Sequence, residues 1–217
     1  MASKGRLTFK IMMIAGVLLA LFAIAGTGLV AFTYEQTKDR IAENERRALL
    51  SKLTDLVPRE NVDNDMIADS IKVHRSDLLG SETTNVYRGR FQGKPVATVL
   101  SPVVPDGYSG PINLLVAVNY DGTLAGVRVI SHKETPGLGD KIEEEKSDWI
   151  LSFTGKSLSN PDKKKWKVKR DGGVFDQFTG ATITPRSIVK AVKNTLIYVK
   201  EQGDRIYTKP AQVKSKE

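Results

Sequence analysis

The sequence predicts an α+β protein: a mostly antiparallel sheet with flanking helices, preceded by a single N-terminal transmembrane helix. Three observations carry this. An uncharged run of 22 residues, 11–32, holds 18 hydrophobic ones. Between residues 85 and 130, apolar stretches bracket short turn sequences. After Thr184-Pro185 a helical apolar period sets in and lasts to Gly203.

The elements follow in chain order. Lys4, Arg6 and Lys10 precede the apolar run, and residues 1–10 read as a cytoplasmic N-terminus. Twenty-two helical residues span about 33 Å, enough to cross the hydrocarbon core once. Ala23-Ile24-Ala25 would suit a signal-peptide cleavage site, but the apolar run continues seven residues further, which favours a retained anchor. Five basic residues (Lys38, Arg40, Arg46, Arg47, Lys52) follow the span, so a bare count would put the C-terminus inside. Acidic residues intersperse them, and large domains cross regardless of charge. The expectation is N-in, with the domain outside.

Residues 33–60 read as an amphipathic connecting helix, with Ile41, Ala42, Leu49, Leu53, Leu56 and Val57 near helical spacing and Pro58 as its stop. Residues 64–73 read as a second short helix. A hairpin is expected from 85–91 and 95–100 across Gln92-Gly93-Lys94, and another from 112–120 and 123–130 across Asp121-Gly122. Residues 139–146 read as a helix and 166–168 as an edge strand. Thr184 and Pro185 read as N-cap and first residue of the last helix. The folded domain is placed at 61–204 and a basic tail at 205–217, frayed from residue 208.

Composition narrows the function. The net charge of +8 is concentrated: residues 1–10 carry +3, 155–170 carry +6 and 205–217 carry +3, leaving −4 elsewhere. No helix-turn-helix, zinc-finger or RNA-binding signature accompanies it, so nucleic acid is not an expected partner. There is no cysteine, which excludes disulfides, thiolate nucleophiles and iron–sulfur clusters within this chain. The two histidines, His74 and His132, are too few and too separated to suggest a metal site or a catalytic triad. One uncharged span cannot itself be an ion pathway.

Two segments have unusual local chemistry. In His132-Lys133-Glu134-Thr135-Pro136-Gly137-Leu138-Gly139-Asp140, Pro136 restricts one φ while Gly137 and Gly139 permit close backbone approach. Such a loop could lie against a flat ring, or be a tight strand-to-helix connection. In Asp176-Gln177-Phe178-Thr179-Gly180-Ala181-Thr182-Ile183-Thr184-Pro185, three hydroxyls precede a helix whose N-terminus favours phosphate. Ordinary capping of that helix explains the same residues. The lysine run 163–165 reads as a solvated loop, with a contact to lipid or to a partner as the other possibility. Trp149 and Trp166 read as core or interface.

Residues 106–142, Ser147-Asp148-Trp149-Ile150 and above all Phe175-Asp176-Gln177-Phe178-Thr179-Gly180-Ala181-Thr182-Ile183-Thr184-Pro185-Arg186 resemble the flavin-binding domain of respiratory membrane complexes. The whole chain resembles the G-subunit family of the Rnf (Rsx) ion-translocating electron transport complexes. The C-subunit family of the sodium-translocating NADH:quinone reductases is the related alternative, and a non-redox membrane-anchored assembly module is a second. The resemblance implies an electron-carrying subunit in the bacterial inner membrane, with its C-terminal domain in the periplasm. It implies one FMN per chain, joined through its phosphate to the hydroxyl of Thr182 by a separate flavin transferase, and other membrane subunits as partners. Thr179, Gly180 and Ala181 complete the motif, Asp176 falls at its upstream acidic position, and Thr184 is the competing hydroxyl. Glu134, Thr135, Gly137, Leu138 and Gly139 are then the expected contacts of the ring.

Overall fold

The computed structural model describes the backbone of residues 2–211 and the side chains of residues 9–211. The basic flank at Lys4 and Arg6 and the end of the tail, 212–217, lie outside the described side chains. The chain divides into two compact units at residues 49 and 50.

The first unit belongs to α1 (Ala2–Leu56). From Phe9 it is long and apolar enough to cross a membrane. Its side chains are exposed on every face from Phe9 through Phe32, as expected of a helix whose solvent is lipid. Beyond the apolar run the surface becomes charged, with Arg47 bonded to Glu43 at 2.8 Å one turn earlier.

The second unit is built on an antiparallel sheet: β1 (Ser70–Val73), β2 (Thr84–Phe91), β3 (Lys94–Leu100), β4 (Val103–Val104), β5 (Ile112–Asn119) and β6 (Leu124–Ser131). The order is β1-β2-β3-β5-β4, with β6 on the other edge of β5. β3 and β4 keep one register against β5, since Leu100 faces Val116 and Val103 faces Asn113. Pro102 interrupts them because it has no N–H to give the ladder, yet its carbonyl accepts from Leu114 N at 3.1 Å. The first hairpin turns at Gln92 and Gly93, both at positive φ (51° and 75°) as a type I′ turn requires. The second is one residue longer than expected. Asn119 N bonds Thr123 O, so Tyr120, Asp121 and Gly122 form the loop, with Gly122 at φ 86°.

Nearly every residue of β5 is buried, so both sheet faces are covered. Leu114, Val116 and Val118 pack on one side with Ile188, Val189, Val192 and Leu196 of α3 (Ile183–Gln202). Leu115 and Ala117 necessarily face the other way. There the buried Leu53, Leu56, Val57, Val62 and Met66 complete the core. Two glycines admit this layer: a Cβ on Gly89 would come within 2.9 Å of Val62 Cγ1, and one on Gly126 within 2.8 Å of Leu56 Cδ2.

Four expected elements change. Residues 64–73 are a turn followed by β1, because Ile71 and Val73 alternate inward at period two. Residues 139–146 form only a 3-10 turn, Asp140–Ile142, since the glutamates that follow reach to separate partners, Glu143 to His132 and Glu144 to Arg128. Residues 166–168 supply one bridge, Val168 to Phe175, in place of a strand. The last helix begins at Ile183 with Thr182 at its cap, so Thr184 and Pro185 lie inside the first turn. A Pro is tolerated there because first-turn N–H groups have no intrahelical acceptor. Gly203 closes the helix as expected.

The start of the tail is docked. Residues Arg205–Thr208 form α4 with Ile206 buried. Arg88, only 2% exposed, donates to the carbonyls of Ile206 (3.2 Å) and Lys209 (2.5 Å) and pairs with Asp69. Arg90 reaches the same Asp69 at 2.7 Å and Tyr207 O at 2.8 Å. Arg88→Met leaves Asp69 to Arg90 alone and strands the tail carbonyls. Thermal unfolding of the full chain in detergent should show a loss of about 3–5 kcal/mol, or roughly 10 °C in Tm. Arg205→Met, on the exposed side of the same helix, should change little.

Candidate functional site

Both singled-out segments converge at the N-terminal end of α3. The 135–138 stretch is a tight turn: Leu138 N bonds Thr135 O at 3.1 Å, Pro136 takes the second position and Gly137 the third at φ 78°. The 178–181 stretch is a second, with Ala181 N on Phe178 O at 3.2 Å and Gly180 at φ 85°. Both follow the type II pattern, which demands positive φ at its third residue. The turns touch, since a Cβ on Gly180 would lie 3.2 Å from Leu138 Cδ2.

Glu134 joins them. Its carboxylate is buried, at 4% exposure. One oxygen accepts from Thr184 Oγ1 at 2.5 Å, the other from Ser109 N at 3.0 Å. Three segments distant in sequence thus meet at one charge. Space for it depends on glycine: a Cβ on Gly139 would come within 2.8 Å of Glu134 Oε2, and one on Gly107 within 3.1 Å of Oε1. The Glu134 backbone N–H donates to His132 Nδ1 at 2.9 Å, which leaves the ring proton on Nε2 to bond Glu143 at 2.6 Å. Ser187 Oγ donates to Asp106 O at 2.6 Å and ties the 106–110 loop to α3.

The second segment rests on aromatic rings. Phe175 stacks on Phe153 at 4.5 Å, and Phe178 meets Trp149 edge-on at 5.2 Å. Trp149 Nε1 donates to Asp176 O at 2.8 Å. Both tryptophans are core residues that hold the segment from beneath.

The two candidate hydroxyls therefore differ. Thr184 is wholly buried and its hydroxyl is committed to Glu134. Thr182 is partly exposed, sits at the cap of α3 and makes no side-chain capping bond. Its neighbour Ile183 and Leu138 of the facing turn remain 47% and 45% exposed, and Tyr108, in the loop whose Ser109 binds Glu134, is 68% exposed. Thr179 is exposed at the turn. Asp176 faces solvent and its carboxylate pairs with Lys169 at 2.6 Å, not with the groups around Glu134. Arg186, in the first turn of α3, binds Asp171 through two bonds of 2.6 and 2.7 Å, which hold that carboxyl below the usual range.

Sequence reasoning did not single out Ser109, Gly107 or the buried Asp140 as site residues. Asp140 Oδ1 is a buried acceptor without a protein donor. A Glu and a Thr 50 residues apart leave no spacing signal, whereas the clustered glycines pointed to a crowded backbone.

Similarity to known proteins agrees with this geometry. Residues 107–197 match the FMN-binding domain, and residues 1–56 match the RnfG N-terminal region. The G subunit of the ion-translocating oxidoreductase complex of Shewanella oneidensis is 46% identical over 202 residues, covering 93% of this chain and 95% of the relative. That of Pseudoalteromonas atlantica is 47% identical over 201 residues, with 92% and 94% covered. That of Vibrio atlanticus is 45% identical over 195 residues, with 90% and 93% covered. The chain belongs to this G-subunit family. The stretch that matches the FMN-binding domain runs from Gly107 to Ile197 in α3, and so contains all three segments that meet at Glu134.

In the flavin-free chain, Thr184→Val leaves a buried carboxylate oxygen without its donor and should cost about 1–3 kcal/mol. Thr182→Val removes no bond and should stay within about 0.5 kcal/mol. Thermal unfolding of the two variants side by side reads the difference.

Proposed function

We propose that this chain is the electron-carrying flavoprotein subunit of an ion-translocating oxidoreductase complex, with FMN joined through its phosphate to Thr182. The observation that carries the attachment is the contrast between two neighbouring hydroxyls: Thr182 is accessible and uncommitted, while Thr184 is buried and bonded to Glu134.

The residues present fit the group. Thr182 offers the acceptor oxygen for a phosphoester. The first-turn N–H groups of Ile183 and Thr184 point toward the cap, whereas Pro185 has none to offer. A phosphodiester there gains about 0.3–1 kcal/mol from the helix terminus. Leu138, Ile183 and Tyr108 provide exposed apolar surface for a ring system, and Asp140 Oδ1 offers an acceptor to a ring N–H. Glu134 keeps the two turns together, and Gly137 and Gly139 let backbone stand where side chains would block approach. When bound, FMN supplies the electron transfer that the protein's side chains cannot perform. Covalent attachment prevents its loss to the medium.

The same reading places the chain in the bacterial inner membrane with one span, its folded domain in the periplasm, matured by a flavin transferase and partnered by other membrane subunits. The uncharged span carries no group for ions, so coupling to ion movement belongs to those partners.

Protein made with a flavin transferase and digested should yield one FMN, less one water, on the peptide containing Thr182. Thr182→Ala should abolish it, and Thr184→Ala should leave it on Thr182. Flavin found on Thr184 in the unaltered chain would move the site, and none at all would remove the redox reading. Protease added outside spheroplasts should cleave the folded domain and spare the N-terminus; the reverse pattern would invert the topology.

A further inference from the structure

Residues 163–170 hold six cationic side chains and no acid. The short 3-10 turns Lys163–Lys165 and Lys169–Asp171, with Lys167 between them, display them on the surface, while Trp166 and Val168 turn inward to 2% and 0% exposure. Lys193 of α3 comes up beside Lys163 and Lys167. Burial lowers its ammonium below the usual range, and the two neighbouring charges push the same way. The acids nearby are already engaged. Lys169 has Asp176, Asp171 is held by both arms of Arg186, and the Asp162 carboxylate accepts from the Lys164 backbone N–H. Among the described residues, Lys163, Lys164, Lys167, Arg170 and Lys193 form no ion pair. Only Asp162 and Asp171 flank the segment, and Asp171 is shared among Arg186, Lys167 and Arg170, so cations outnumber acids and the crowding of like charge destabilises the isolated domain.

This cluster is fastened to the Thr182 segment. Lys169 N bonds Phe175 O at 2.7 Å, and Arg170 N bonds the Gln177 side chain at 3.1 Å. The pairs Lys169–Asp176 and Asp171–Arg186 cross the same seam. A molecule seated on the cations would therefore adjoin the flavin-bearing edge of the domain.

We propose that Lys163, Lys164, Lys167, Arg170 and Lys193 form a docking face for a carboxylate-rich surface of another subunit of the complex. The proposal rests on the reading of this chain as a complex subunit. Charge complementarity selects an acidic partner. The inward turn of Trp166 and Val168 favours protein over lipid, because a membrane-surface segment needs apolar side chains to enter the headgroup layer. The benefit is positional: such contacts orient the partner next to the flavin and relieve the crowding at Lys193.

Amine labelling of the full chain tests this, alone in neutral detergent, in the assembled complex, and on phosphatidylglycerol vesicles. In the complex, Lys163, Lys164, Lys167 and Lys193 should label several-fold less than in the isolated chain. A zero-length carbodiimide should join at least one of them to an Asp or Glu of another subunit. Lys163→Glu/Lys164→Glu/Lys167→Glu should release the chain from the complex at lower salt while its FMN content, read by in-gel fluorescence, is unchanged. Equal labelling in both states, or the same protection from the vesicles alone, overturns the proposal. A chain that purifies with no other subunit overturns the reading beneath it as well, whereas loss of FMN in unaltered protein bears on the redox reading and leaves the docking result standing.

Discussion

A buried carboxylate needs donors, and Glu134 takes its donors from two parts of the chain far from its own. The Thr184 hydroxyl comes from the first turn of α3, and the Ser109 N–H from the loop before β5. Leaving such a group unpaired would cost more than most single contacts contribute. The pairing therefore dictates where α3 begins relative to the sheet. It also dictates that Gly139 and Gly107 carry no side chain, because a Cβ at either would press on the carboxylate or on the loop around it. The two type II turns then stand against each other, and the Thr182 hydroxyl is left at their edge.

The rest of the domain supports that arrangement from below and behind. The stacked rings of Phe153 and Phe175 and the edge contact of Trp149 with Phe178 lock the motif's flanks into the core. The motif can present polar atoms outward because its aromatic neighbours provide the burial. Away from the site, Arg88 and Arg90 share Asp69 and hold the carbonyls of Ile206, Tyr207 and Lys209 at and just after α4. The domain is thus closed at both ends by charges whose partners lie in other segments, with the apolar sheet between them.

Local signals were readable where local physics decides. The 22-residue apolar run needs only its own hydrogen bonds to be a helix in lipid, so its sequence sufficed. The hairpins were visible in Gln92-Gly93 and Asp121-Gly122, although the second loop took one residue more because Asn119 pairs with Thr123. The helix expected at 139–146 failed for a reason outside its own sequence: Glu143 is drawn to His132, just beyond β6, and Glu144 to Arg128 on it. The short helix expected at 64–73 failed because Asp69 is needed beside Arg88 and Arg90, and the chain runs on as a strand.

By itself the sequence determined the membrane helix, the antiparallel hairpins, the apolar face of α3 and the two Gly- and Thr-rich segments, because each follows from periodicity or turn chemistry within a few residues. It also excluded iron–sulfur and thiol chemistry through the absence of cysteine. Only the tertiary structure decided which threonine has a free hydroxyl, since that depends on Glu134 reaching across 50 residues to occupy Thr184. It alone showed that Lys193 joins the lysine-rich segment, and that this segment is bonded to the Thr182 edge. Those relations are between charges and donors brought together by folding, and no spacing along the chain encodes them.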